Sequence, residues 1–144
     1  MNQTVDSVHF ATMSAVLPVR DVVETTQYYR DVLGFKIEWL WGEPPQHAAV
    51  TKDHVALQFT TWLRDKAEII PCGWQYIVVS NVDALHDEYS QNGAKIITGL
   101  KSQEWGMREF EVEDCNGHIL RFGQDTVHEH SEAENGDYQH SHER

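Results

Sequence analysis

The chain is short of three things whose scarcity is informative. It has 2 cysteines among 144 residues, Cys72 and Cys115. Their separation gives no close metal-binding pair, and their number makes no disulfide scaffold, so reduced structural thiols are the expectation and redox chemistry is not. Basic residues are scarce as well: 11 against 23 acids give a formal charge of −12. Such a field repels phosphate backbones and anionic lipid, which argues against nucleic acid and membrane surfaces and favours cationic partners. Long apolar runs are missing too. Nothing approaches the roughly 18 residues that span a bilayer, and the polar start MNQTVDSVHF lacks the basic and apolar regions of a signal peptide, so a cytoplasmic location is expected. A G-x-S-x-G elbow, a phosphate loop and a recognisable nucleophile–base pair are also missing.

What is present suits one compact domain over residues 1–125, with a tail over 126–144. The tail, TVHEHSEAENGDYQHSHER, has almost no apolar side chains with which to offset the entropy of ordering, and disorder is expected there. Its five acids and one base give it −4 and leave −8 on the domain. Two His-x-His pairs, His128 with His130 and His140 with His142, offer imidazoles to a borderline metal; a merely solubilising His-rich tail is the plainer reading.

An internal repeat organises the domain. Val19, Val22 and Tyr29 match Val79, Val82 and Tyr89 at an offset of 60, and Gly34, Lys36 and Ile37 match Gly93, Lys95 and Ile96 one position out of step. Each copy, about 8–63 and 73–124, reads as a strand, a helix and three more strands. Asp21 is placed to cap the first helix and Asn81 or Asp83 the second, while Gly34 and Gly93 suit the left-handed position that closes a helix. Strands are expected over 35–42, 46–51 and 54–62, then 95–101, 107–114 and 118–123. The last strands echo each other as Leu57-Gln58-Phe59 and Leu120-Arg121-Phe122, with the apolar pair on one face and Gln58 or Arg121 on the other. Arg64-Asp65-Lys66 and the turn Pro71-Cys72-Gly73 mark the joint between copies. A half of about 60 residues is poorly able to form its own core, so paired modules, within a chain or between chains, are expected to enclose a cleft lined by their less apolar faces.

A duplicated βαβββ that opens with LPVRDVVETTQYYRDVLGF and closes with REFEVEDCNGHILRF resembles the vicinal oxygen chelate, or glyoxalase, superfamily over residues 10–124. The run Trp105-Gly106-Met107-Arg108-Glu109-Phe110, followed by Val112, Asp114 and Gly117, is most similar to its bleomycin resistance branch. The resemblance implies an α+β fold of paired βαβββ modules forming curved mixed sheets around a cleft. In metal-dependent members a divalent ion is held there by four side chains, and the matching positions here are Ser14, Gln58, Trp74 and Arg121. A guanidinium has no lone pair to donate and an indole is no ligand, so no metal and no other cofactor is expected, and binding without catalysis becomes the first reading. A metal-dependent lyase, isomerase or dioxygenase is the alternative. A third reading is an accessory factor that makes contact through the tail.

The resistance branch further implies a homodimer whose aromatic-walled groove grips a flat, cationic antibiotic. Five tryptophans are many for this length, and indole faces both stack on planar rings and attract cations. The candidate ligand set is Ser14, Trp39, Trp41, Gln58, Thr60, Trp62, Trp74, Trp105, Arg108 and Arg121, although tryptophans serve equally well as interface filling. Arg108 and Arg121 face two equal options, a ligand carboxylate or internal pairing with Glu109 or Glu111. His47 follows a turn-rich loop and could act as a base or simply be solvated, His54 and His118 read as turn residues, and His86 belongs on the polar side of the second helix.

Overall fold

A computed structural model describes residues 7–62 and 74–127. Two copies of one topology follow each other along the chain: β1 (Ala15–Pro18), α1 (Val22–Asp31), β2 (Lys36–Trp41), β3 (His47–Lys52) and β4 (Val55–Thr60), then β5 (Trp74–Val78), α2 (Val82–Gln91), β6 (Lys95–Ser102), β7 (Met107–Glu113) and β8 (Ile119–Asp125). Each copy builds one four-stranded sheet, ordered β1-β4-β3-β2 and β5-β8-β7-β6. The first strand of each sheet joins the last in parallel, and the remaining pairs are antiparallel. This is the α+β arrangement of paired βαβββ modules expected from the repeat. Arg64-Asp65-Lys66, Pro71-Cys72-Gly73 and the tail histidines lie outside the described residues. No described helix is long and apolar enough to cross a membrane.

The helix starts follow the side chains available. The Asp21 carboxylate accepts from the Glu24 amide at 2.9 Å, and Asn81 accepts from the Ala84 amide at 3.0 Å, so Asn81 and not Asp83 caps α2. Gly34 and Gly93 close the helices with φ of 79° and 83°, a region where a side chain would be strained.

Strand alternation turns Leu57 and Phe59 on β4, and Leu120 and Phe122 on β8, toward the helices, where all four are buried. Tyr29 of α1 packs edge-on against Phe35 and tilted against Phe59, and Tyr89 of α2 packs edge-on against Phe110 and Phe122. These residues belong to a single hydrophobic cluster that spans both modules. At about 1.5–3 kcal/mol for each large side chain fully removed from water, the shared cluster is the main favourable term.

A buried polar joint ties the β7–β8 turn, 114–118, to the first module. The Tyr29 hydroxyl donates to Asp114 Oδ2 at 2.6 Å, while Asp114 Oδ1 accepts from the Asn116 and His118 amides. Asn116 Oδ1 accepts from the Arg20 amide, and its amide nitrogen donates to Thr25 Oγ1. His118 is therefore more than the turn residue expected from sequence: it is buried, and its Nε2 meets the Pro18 carbonyl at 2.7 Å. The expectations for His86 and Cys115 also change. His86 is half-buried with its ring edge-on to Phe110 at 5.2 Å, because α2 turns that face to the sheet. Cys115 is exposed at the tip of the turn and is not a structural thiol of the core. Hydrogen bonding continues past the last strand, since the Thr126 amide and hydroxyl both donate to the Gly106 carbonyl.

Removing only the hydroxyl in Tyr29→Phe leaves Asp114 buried with a donor missing. A stability loss of about 1–3 kcal/mol is expected from urea unfolding curves. The tyrosines also set an alkaline limit. Burial, reinforced by Asp114, pushes Tyr28 from 10.0 up to about 12, and burial raises Tyr29 and Tyr89 as well. Because the folded state disfavours phenolate, their contribution is fully present below pH 10 and is lost as the pH climbs toward 12. In protein lacking residues 126–144, and with them Tyr138, phenolate absorbance and far-UV circular dichroism, followed together, should change in one coincident transition in that window; phenolate formation at the ordinary pH with the fold intact would contradict it.

Candidate functional site

The faces of the two sheets that point away from the helices carry most of the candidate residues. Across the first sheet the register aligns Val16, Gln58, Ala49 and Trp39 in one row and Pro18, Thr60, His47 and Trp41 in the next. Across the second it aligns Tyr76, Arg121, Glu111 and Thr98. The residue beside Gln58 is thus Val16, and the one beside Arg121 is Tyr76. Ser14, half-buried just before β1, and Trp74 each sit two positions earlier on their chains.

On the first sheet three aromatic side chains, Trp41, His47 and Trp62, form one group. The His47 ring lies 5.6 Å from Trp41 and 4.4 Å, edge to face, from Trp62, which follows β4. The Trp62 indole nitrogen donates to Gln46 Oε1, and its amide donates to Thr60 Oγ1. Trp39, Trp41 and Trp62 are 42%, 59% and 62% exposed, so a large aromatic surface stands open to solvent. His47 makes a contact that sequence reading left out: it is the spacer between two indoles.

The second sheet presents a pre-arranged polar platform. The Arg121 guanidinium lies 3.9 Å above the Trp74 ring and donates to Glu111 at 2.6 Å and Glu109 at 3.4 Å. Both carboxylates are buried, and their remaining oxygens accept from Thr98 and from the Tyr76 hydroxyl. Burial first, and the bond to Glu109 second, hold the Tyr76 phenol in its neutral form. A side chain at position 123 would collide with the Tyr76 ring, so Gly123 is what lets Tyr76 lie across β8 to reach Glu109. Of the two options open to Arg121, the structure selects internal pairing. Such a pair is held in place chiefly because breaking it would leave a charge buried without a partner.

Arg108 and Trp105 stand apart. Arg108 shares its strand face with the buried Phe110 and Val112, which puts it on the helix side of β7, where it pairs with Asp83 of α2 at 2.7 Å and not with Glu109 or Glu111. Trp105 occupies the β6–β7 turn, 64% exposed. Bonds that join the modules, among them Tyr29 to Asp114, Asn116 to Arg20 and Thr25, and Tyr89 to the Leu33 carbonyl, lie on the helix side. The open outer faces hold their tryptophans in two separate groups.

The side chains at the positions where metal-dependent relatives of this fold hold an ion do not fit one. Of the four positions, Ser14 and Gln58 supply at most two weak oxygen donors, the Trp74 indole none, and Arg121 places a fixed cation beside carboxylates that it already occupies. Among the described residues no group of three His, Cys, Asp or Glu side chains could hold a metal. Tyr76, Glu109 and Glu111 were the residues that sequence reading passed over as site components. A neutral Tyr one strand away from an Arg, and two Glu spaced by two on a strand, are visible signals only once the β5–β8–β7 order is known.

Comparison with known proteins agrees with this fold. Nothing among curated proteins matches the sequence. Among solved structures, TioX from Micromonospora sp. ML1 superposes with a TM-score of 0.70 at 20% identity, covering 81% of this chain and 99% of its own. The bleomycin-binding protein from bleomycin-producing Streptomyces verticillus, solved with copper(II)-bleomycin, gives 0.64 at 25% identity over 81% of this chain and 97% of its own. A glyoxalase-related enzyme from Clostridium phytofermentans gives 0.68 at 20% identity, covering 82% and 97%. The family model matches residues 8–122, both modules from before β1 into β8, and the chain therefore belongs to the Glyoxalase/Bleomycin resistance protein/Dioxygenase superfamily.

Proposed function

We propose that this protein binds and sequesters a small planar, cationic compound, with a bleomycin-type antibiotic as the specific candidate, and does so without a metal of its own and without transforming it. The observation that carries the reading is the exposed indole surface on the outer faces: Trp39, Trp41 and Trp62 on one sheet, and Trp74 backed by Arg121 on the other. One face of Trp74 is taken by the guanidinium, which leaves the indole itself 56% exposed for stacking. The likeness to a bleomycin-binding protein adds a specific guest. Each stacking contact with a planar or cationic group contributes roughly 0.5–2 kcal/mol, so several are needed for useful affinity.

A homodimer belongs to this reading. Val16 and Val78, on β1 and β5, are 53% and 57% exposed, beside the open tryptophans. Surface of this kind on a soluble domain marks an interaction site, and a second copy that brought its β5 sheet against the β1 sheet of the first would put Trp74 opposite Trp39 and Trp41. Sequestration needs only affinity and abundance, and resistance would then scale with the amount of protein. The metal-dependent lyase, isomerase or dioxygenase reading has no donor set to support it at Gln58 and Arg121.

Titration with copper-free and copper-loaded bleomycin should quench tryptophan fluorescence at micromolar ligand. Trp41→Ala and Trp74→Ala should each weaken binding by about threefold to thirtyfold, the equivalent of one lost stacking contact. Unaltered fluorescence would remove this guest. Sedimentation should give twice the chain mass, and metal analysis of protein lacking residues 126–144 should find no stoichiometric divalent ion; one ion per chain would favour the enzyme reading. Arg121→Met should cost about 3–5 kcal/mol in urea unfolding, because it strands Glu109 and Glu111 without their cation.

A further inference from the structure

The two modules are related by an offset of 60, yet the joints between them are unequal. On one side the β7–β8 turn, 114–118, reaches α1, and the Asn116 side chain fills the space by bonding to the Arg20 amide and to Thr25. On the other side the corresponding β3–β4 turn is reduced to residues 53–54, between the paired Lys52 and Val55. It sends no counterpart of Asn116 toward α2. A cavity of about 400 Å³ remains there, between this turn, the end of β5 and α2.

The residues that face the cavity differ from their first-module counterparts in a consistent direction. Thr25, which receives Asn116, is matched by Leu85, and Arg20 is matched by Ser80. The floor is apolar and already buried: Phe35, Ile77, Tyr89 and Phe122 are each at most 9% exposed. The Tyr89 hydroxyl is committed to the Leu33 carbonyl and offers nothing to a guest. At the mouth, Lys52 stands with Asp53 and Glu88, and Lys52 reaches the Gly34 carbonyl at 3.4 Å. Charges of both signs are therefore present at the rim, together with the polar side chains of Ser80 and Asn81. Such a rim can satisfy one hydrogen-bonding group without favouring a strongly charged one. The volume falls within the range of about 300–1,000 Å³ in which small-molecule sites are found.

We propose that this cavity is a second binding site, separate from the outer faces of the sheets, for a neutral apolar ring compound that carries one hydrogen-bonding group. The ring lies against the partly exposed Leu85, Val79 and Val55, above the buried floor, replacing the plug that Asn116 supplies at the other joint, and the polar group meets the rim near Asn81. The site lies within one chain and does not depend on the ligand, or the dimer, assigned to the outer faces.

The test uses N-phenyl-1-naphthylamine, a neutral ring compound with one N–H whose emission rises in apolar surroundings. The full chain should give saturable enhancement at one site, and backbone amide shifts should be confined to the 53–55 turn, the end of β5 and the start of α2. Ala84→Phe places a ring in the mouth from an exposed helix position and should lower affinity at least about tenfold. Leu85→Thr, which restores the polar first-module wall, should lower it as well. Trp41→Ala and Trp74→Ala should leave it unchanged. Non-saturable binding, undiminished binding by both Ala84→Phe and Leu85→Thr, or amide shifts centred on Trp39, Trp41 and Trp74 would overturn the proposal, and none of these results bears on bleomycin binding at the outer faces.

Discussion

A sheet of four short strands with one ten-residue helix buries too little surface to stand alone, and this constraint shapes the whole molecule. Both helices must share a core, and both sheets must turn the same kind of face inward. The aromatic sets repeat accordingly: Tyr29 with Phe35 and Phe59, and Tyr89 with Phe110 and Phe122. Burial of those rings brings hydroxyls with it, and each hydroxyl finds an acceptor across the module boundary, Asp114 for Tyr29 and the Leu33 carbonyl for Tyr89. A phenol buried without an acceptor would cost about as much as its ring's packing contributes, so the polar joint and the apolar core are one solution.

The inward commitment of the helices leaves the opposite sheet faces open among the described residues, and the proposed binding rests on how those faces are furnished. The first carries indoles and a histidine, with the Lys36–Glu38 ion pair beside Thr51. The second carries Arg121 between Glu109 and Glu111, a cluster of net −1 whose charged atoms are already satisfied. A satisfied cluster is rigid, and a rigid indole at Trp74 loses little freedom when a planar guest stacks on it. For the cationic guest proposed above, the charge of −8 on residues 1–125 would add attraction at a distance, and the contact energy would come from the rings.

Asymmetry between the modules is as informative as their likeness. Position 60 residues after Thr25 is Leu85, and the turn that would reach it is short, so one joint is plugged by Asn116 and the other holds a cavity. In the same way, the place beside Gln58 is Val16 whereas the place beside Arg121 is Tyr76. Duplication supplied two equivalent frames, and substitution then gave them different chemistry.

Sequence alone determined the repeat, the order of elements, the inward pairs Leu57/Phe59 and Leu120/Phe122, and the Asp21 cap, because each depends on residues close together in the chain or on a period of two or 3.6. It also placed Gln58 and Arg121 on the faces away from the helices, for the same reason. Tertiary structure alone decided which side chains meet. Arg121 pairs with Glu109 and Glu111 because β7 lies beside β8, Arg108 is drawn to Asp83 because it shares the helix-side face with Phe110, and His118 seals the joint at Pro18, 100 residues away. These partners are set by sheet order and by the packing of one module on the other, and neither has a local period that a reader of the sequence could follow.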